Sequence, residues 1–480
     1  MQVLYVSTEL HPALKTGGLA DVNAALPSAL VAAGADVRLL LPGFPALIAA
    51  ATERGARLAI GAALGISDIG LLPCRLGGIA AWLIDAPAFY ARPGNPYVDA
   101  AGRDWPDNAR RFALLGWVAA RFADGGFGHW RPDIVHSHDW HAALANAYLR
   151  ARGGAGPGSV FTVHNLAYQG QFAASEFPAL ELPAHFFSIH GLEFHGQLNF
   201  MKAGLFYADR ITTVSPTYAG EIQDALQGFG MQGLLHSRVA ALRGILNGIA
   251  SAVWDPHSDR ALAATYDADN LDGKALCRRA LCAELGLALD RPGPLLGIVS
   301  RLTPQKGLDL LLAALPAWLA AGGQLALLGS GDAALEDAWA AAAAAHPGAV
   351  AVHRGYDEAL AHRIIAGADL IGVPSRFEPC GLTQMYGLRY GTLPLVRRTG
   401  GLADTVQDAG AHGDAPGATG FVFEQPRVDD LVICFERVLR QWRQPQAWRR
   451  MQRTAMATEL GWESSAQRYL ALYRELRPHA

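Results

Sequence analysis

Short runs rich in Val, Ile and Leu recur along this chain, each followed by a longer stretch with helical spacing, and the pattern occupies both halves. An apolar run of strand length that does not alternate with polar residues is a strand covered on both faces. Parallel strands achieve this through crossover helices, so the alternation points to doubly wound α/β sheets. In the first half the strand candidates are QVLYVST (2–8), DVRLLLP (36–42), DIVHSHD (133–139), SVFTVHN (159–165) and RITTVS (210–215). In the second half they are PLLGIVS (294–300), QLALLGS (324–330), AVAVHRG (349–355), DLIGVPS (369–375) and TLPLVRR (392–398). Helical segments such as VNAALPSALVAAGA, LDLLLAALPAWLAAG and LTQMYGLRYG follow them.

At 480 residues the chain exceeds the size at which a single core keeps growing. Two domains are therefore expected, 1–247 and 248–457, with the crossing in GILNGIASAVWDP, where Gly, Asn and Pro break the periodicity. A closing amphipathic helical segment is expected over 458–480. An apolar share of 51% against 17% charged residues supplies ample core and excludes a disordered chain. The net charge of −3 gives no basic field to recruit nucleic acid or an anionic membrane. Five scattered cysteines form neither a disulfide framework nor a CxxC site, and MQVLYVSTELHP lacks the basic region and cleavage site of a leader, so a cytoplasmic protein is expected.

Polar and glycine-rich segments gather immediately after the strand candidates, where an open parallel sheet places its ligands. KTGGLADV follows the first strand: Gly17 and Gly18 admit close backbone approach, a helix starting near Asp21 offers its positive end, and Lys15 adds an ammonium. The same features serve equally in a plain strand-to-helix turn. RTGGLADTV (398–406) repeats the segment in the second half. SRLTPQKG supplies Arg301 and Lys306, a fork and a point charge suited to a diphosphate. RFEPCGLTQ places Glu378 in a Pro- and Gly-shaped loop, able to hold sugar hydroxyls or a developing oxocarbenium charge, or simply to favour a helix N-terminus. No histidine stands near Cys380 in sequence, which argues against thiol catalysis. HSHDWHA and TVHNLAYQG carry histidines and Asp139 without the HExxH or cysteine spacing of a zinc site, so a metal-free polar pocket is expected.

KTGGLADV, HDWHA, TVHNLAYQG, LNGI, SRLTPQKG and PSRFEPCGLTQMYGLRYGTLPLVRRTGGLADTV together resemble the bacterial glycogen synthase and plant starch synthase family, in the family's order from residue 1 to about 470. The resemblance implies a GT-B fold: two Rossmann-like domains with a cleft between them, and a C-terminal helix returning to the first. It implies transfer of glucose from ADP-glucose to the non-reducing-end 4-hydroxyl of an α-1,4-glucan, with retention, no metal and no cofactor. Carried over residue by residue, it makes Glu378 and His164 the catalytic pair. Lys15, Gly17, Gly18, Asp21, Asp139, Asn247, Arg301, Lys306 and Tyr356 would bind the donor, as would Cys380, Gly381, Leu382 and Thr383. A sugar-nucleotide epimerase and a catalytically silent carbohydrate-binding protein are the alternatives; the motif string argues against the first, and the joint presence of Lys15, His164, Arg301, Lys306 and Glu378 against the second.

Overall fold

A computed structural model describes residues 1–478 apart from Asp124, Gly126, Gly128, His129, Ala155 and Asp414. The chain divides into two compact units, Met1–Gly248 with Trp462–Ala480, and Ile249–Gly461.

The first unit is built on a nine-stranded sheet. Its order is Leu242–Gly244, Arg210–Thr213, Gly158–Val163, Ile134–His138, Gln2–Val6, Asp36–Pro42, Ile79–Asp85, Ile66–Leu76 and Leu58–Ala63. The first seven pair in parallel, and the last two attach antiparallel. Val3 to Val6 and Ile134 to His138 are buried throughout, as strands covered on both faces must be. The chain runs outward from Gln2–Val6 in one direction through Asp36–Pro42, then returns to its other side with Ile134–His138. These two central strands therefore flank a topological switch point, where adjacent loops part and leave a crevice.

The second unit has a six-stranded parallel sheet in the order Val350–Arg354, Gln324–Gly329, Leu295–Val299, Leu370–Val373, Leu393–Arg397 and Phe421–Phe423. Successive side chains divide between two cores. Leu296, Ile298, Leu325 and Leu327 pack with helices Leu308–Ala320 and Val428–Trp442, whereas Leu295, Ala326 and Leu328 pack with Asp272–Leu285 and Glu358–Gly367. Its switch point lies between Leu295–Val299 and Leu370–Val373.

Each strand candidate named from the sequence is a parallel strand, within two residues at either end. The sequence reading lacked the antiparallel edge over 58–85, the small three-stranded sheet of Gln171–Ala173, Glu193–Phe194 and Gln197–Asn199, and two short edge strands, Leu242–Gly244 and Phe421–Phe423. LAIGAA is mostly exposed and its pairing register shifts twice, so it carries neither continuous burial nor strict alternation. The helix after KTGG starts at Gly18 rather than near Asp21, because Gly17 takes extended backbone and stands as its N-cap.

Helix Trp462–Leu476 completes the first unit, packing beside Gly18–Ala32. Tyr473 and His136 are both fully buried, and the phenol lies 2.7 Å from His136 Nδ1, while His136 Nε2 meets Thr162 Oγ1 at 2.6 Å. Removing one partner of such a bond leaves the other desolvated, at a cost of about 1–3 kcal/mol. Tyr473→Phe is therefore expected to lower unfolding stability by that amount, read as an earlier denaturant midpoint at unchanged m-value. A midpoint equal to the parent's would refute it.

Candidate functional site

In the second unit the switch point gathers two loops. The loop after Leu295–Val299 turns through Pro304–Lys306, and the loop after Leu370–Val373 runs through Pro374 to Leu382 before helix Thr383–Arg389. They are laced together: Arg376 N donates to Gln305 O, Gln305 Nε2 to Phe377 O, and the Arg376 guanidinium forks onto Asp309. Gly307 has a left-handed φ of 66°, and a Cβ there would stand 2.2 Å from Pro374 O, so only glycine permits this approach. The lacing brings Lys306 Nζ to 2.6 Å from Glu378 Oε2, which also accepts from Ser375 Oγ at 2.8 Å. Glu378 is 5% exposed. A buried carboxylate held this way is compensated by one ammonium and one hydroxyl. Arg301 is exposed on the same loop as Lys306, and Tyr356 is exposed near the end of strand Val350–Arg354.

The first unit's switch point gathers Glu9 after Gln2–Val6 and Asp139 after Ile134–His138. Glu9 is buried; Thr16 N and Thr16 Oγ1 each donate to it at 2.6 Å, and Tyr97 donates its phenolic proton. These bonds anchor the KTGG turn. Lys15 Nζ pairs with Asp21 Oδ1 at 3.0 Å, which tethers the ammonium to the helix that follows. A Cβ built on Gly17 meets nothing within 4 Å, which leaves the backbone open to a ligand.

Asp139 has a left-handed φ of 54°, a conformation its short polar side chain tolerates. It accepts from His164 N at 2.8 Å and Asn165 N at 3.4 Å. His164 Nε2 lies 3.0 Å from His138 Nδ1, and His138 stacks on Tyr5. Asn247 is buried near the end of the same unit. Among the described residues no three His, Cys, Asp or Glu side chains form a metal-holding group, and no helix is long and apolar enough to cross a membrane.

The structure thus brings Lys306 to Glu378, Lys15 to Asp21, and Asp139 to His164. The sequence reading had not singled out Glu9, Tyr97 or Ser375. Glu9 was accessible to the strand-end argument, since STELHP directly follows the first strand. Tyr97 sits in an irregular stretch whose sequence carries no local signal.

The amino-terminal half, residues 2–237, matches the family model described as the starch synthase catalytic domain, and residues 287–455 match the group 1 glycosyl transferases. Glycogen synthases of Yersinia pestis (strain Pestoides F) and Edwardsiella ictaluri (strain 93-146) are each 55% identical, covering 99% of this chain and 100% of theirs. The chain belongs to the glycogen synthase and starch synthase family. It is a glycosyltransferase of GT-B fold. The catalytic domain of starch synthase IV from Arabidopsis thaliana, solved with ADP and acarbose, superposes with a TM-score of 0.88 at 30% identity, covering 99% of each chain. A sucrose-phosphate synthase from Thermosynechococcus elongatus shares the fold at TM-score 0.61 and 18% identity.

Within this glycosyltransferase the polar cluster of the first unit is uncharged at its histidines. Burial pushes His141 and His164 down to about 3, and pushes Asp139 up to about 7 against the two backbone bonds it accepts. A histidine neutral when folded takes a proton on unfolding below its ordinary value near 6.5, so stability falls as pH drops from there to about 3. Asp139 acts oppositely, with stability falling as pH rises from about 4 to about 7. His141→Gln removes one titrating ring. It is expected to shrink the stability lost between pH 7 and pH 5 by about 2 kcal/mol, from about 1.4 kcal/mol per pH unit below 6.5. Denaturant midpoints at the two pH values check this; identical pH dependence in both proteins would refute it.

Proposed function

We propose that this enzyme elongates glycogen in the cytoplasm, transferring glucose from ADP-glucose to the non-reducing-end 4-hydroxyl of an α-1,4-glucan with retention. The observation that carries this reading is the Lys306–Glu378 pair at the second unit's switch point. Without a donor, the ammonium and the carboxylate compensate one another. A diphosphate competes for Lys306 through its greater charge, and Arg301, five residues away and exposed, adds a fork for its oxygens. Glu378 is then released to accept hydrogen bonds from glucose hydroxyls. As the glycosidic bond to phosphate breaks, negative charge grows on the leaving diphosphate, where Lys306 and Arg301 stabilise it.

His164 is neutral across the working pH range, which suits it to hydrogen bonding beside the reacting centre and not to protonating the leaving group. Its backbone is fixed by Asp139. Gly17, Gly18, Lys15 and Asp21 offer an open glycine turn for the donor, with Asn247 and Tyr356 as further donor contacts, Tyr356 at the base. Cys380, Gly381, Leu382 and Thr383 present backbone to glucose and phosphate. Retention follows from attack of the acceptor hydroxyl on the face the diphosphate leaves, its proton passing to the departing diphosphate oxygen as the new C–O bond forms and the old one breaks, with Glu378 as a hydroxyl clamp. The 55% identity to glycogen synthases over their full length supports the choice of acceptor, and the ADP in the starch synthase IV structure supports the choice of base. The five free cysteines, all buried, suit a reducing cytoplasm.

The test supplies labelled ADP-glucose and labelled UDP-glucose separately, each with a glycogen primer. Polymer-bound label is expected with ADP-glucose in excess over UDP-glucose; no label with either donor overturns the reading. Lys306→Ala is expected to lower kcat/KM by about 10²-fold or more, the usual effect of removing one stabiliser of developing charge. A near-parental rate would remove Lys306 from the phosphate role.

A further inference from the structure

Behind the Glu378 loop lies a fully buried glutamine that the reaction scheme above leaves idle. Gln384 sits in the first turn of helix Thr383–Arg389. Its Nε2 donates to Cys380 O at 3.0 Å, Gly381 O at 2.9 Å and Thr405 Oγ1 at 3.1 Å. Thr405 Oγ1 donates in turn to Gly401 O at 2.6 Å. From the same side Gly401 N donates to Glu378 O and Pro379 O, both at 3.1 Å. Four consecutive carbonyls, from Glu378 to Gly381, are thus held on the inner side of the loop.

A trans peptide points its C=O and N–H in opposite directions. Fixing the carbonyls of Cys380 and Gly381 inward therefore fixes the N–H groups of Gly381 and Leu382 outward. Gly381 has φ of 73° and Leu382 is right-handed helical, the alternating handedness that turns successive N–H groups into a concave anion-binding nest. Neither N–H finds a protein acceptor among the described residues.

Two features show what the clamp costs the fold. Gln384 Oε1 is buried without a partner, a burden that an apolar side chain of similar size would avoid. The second TGG segment is also pressed against the loop: a Cβ on Gly400 would stand 2.0 Å from Glu378 O, and one on Gly401 2.1 Å from Cys380 O.

We propose that Gln384, braced by Thr405 and the glycines of the second TGGLAD segment, is a positioning residue that aims the Gly381 and Leu382 N–H groups at the donor. This rests on the donor-site reading of the Cys380–Thr383 loop. Gln384 touches no substrate; it acts through the peptide planes it holds.

The test compares the parent with Gln384→Leu, Thr405→Val and Thr405→Ser as full-length proteins. Gln384→Leu is expected to lose about 30-fold or more in kcat/KM with ADP-glucose, chiefly in kcat, with Tm within about 4 °C of the parent. Amide hydrogen exchange over residues 378–383 of the ligand-free protein is expected to accelerate. Thr405→Val is expected to lose three- to tenfold, and Thr405→Ser to restore parental activity, which keeps the proposal testable should Gln384→Leu not fold. Activity within threefold of the parent in both Gln384→Leu and Thr405→Val, or unchanged exchange over 378–383, overturns it. If the parent itself transfers no glucose, the function reading falls, and the exchange comparison still decides whether Gln384 holds the loop.

Discussion

Where neighbouring parallel strands send their crossovers to opposite faces of a sheet, the loops at their carboxyl ends cannot pack on one another along their length. The rest of this structure depends on that geometric constraint, met once in each unit. In the second unit the 301–307 and 374–382 loops meet at that place, laced by Arg376 to Gln305 and Gln305 to Phe377, with Lys306 and Glu378 side by side. In the first it leaves Glu9 and Asp139 on separate loops that are satisfied mostly by backbone N–H groups and hydroxyls. Charged groups are buried at both places because the sheet cannot cover its own ends with apolar side chains.

The two units solve the cost of that burial differently. The second unit retains charge and compensates it locally, ammonium against carboxylate. The first dispenses with charge at its histidines: His136, His138, His141 and His164 all lie below the ordinary range because burial opposes their protonation.

How much of this was legible in the sequence follows from what each residue's signal depends on. The parallel strands were readable because burial on both faces produces unbroken apolar runs such as VLYV and LLGIV. The Leu58–Ala63 edge strand was not, because its exposed small residues and register shifts erase the period. Among site residues, Lys306, Glu378, His164 and Asp139 were visible because polar residues directly after a buried strand have little structural reason to be there. Tyr97 bonds to Glu9 and Gln384 to Thr405 across the fold, and nothing in their own neighbourhood announces those partners. The paired TGGLAD segments look alike and are not: the space beside Gly17 is open, whereas that beside Gly400 and Gly401 is filled by the backbone of the Glu378 loop. The same glycines leave open space in one place and admit the protein's own chain in the other.

The first unit closes on itself only with helix Trp462–Leu476, which lies after the whole of the second unit in the chain. His136 and Tyr473 are 337 residues apart. At about 5–20 residues per second, a ribosome takes roughly 20–70 s to deliver the phenol after the imidazole has emerged. During that interval the nascent first unit holds the His136 ring with its Nδ1 side unpartnered and the apolar face that the helix later covers still open, and the second unit is free to fold ahead of it. Vectorial synthesis therefore inverts the order suggested by the sequence: the domain begun first is the one finished last.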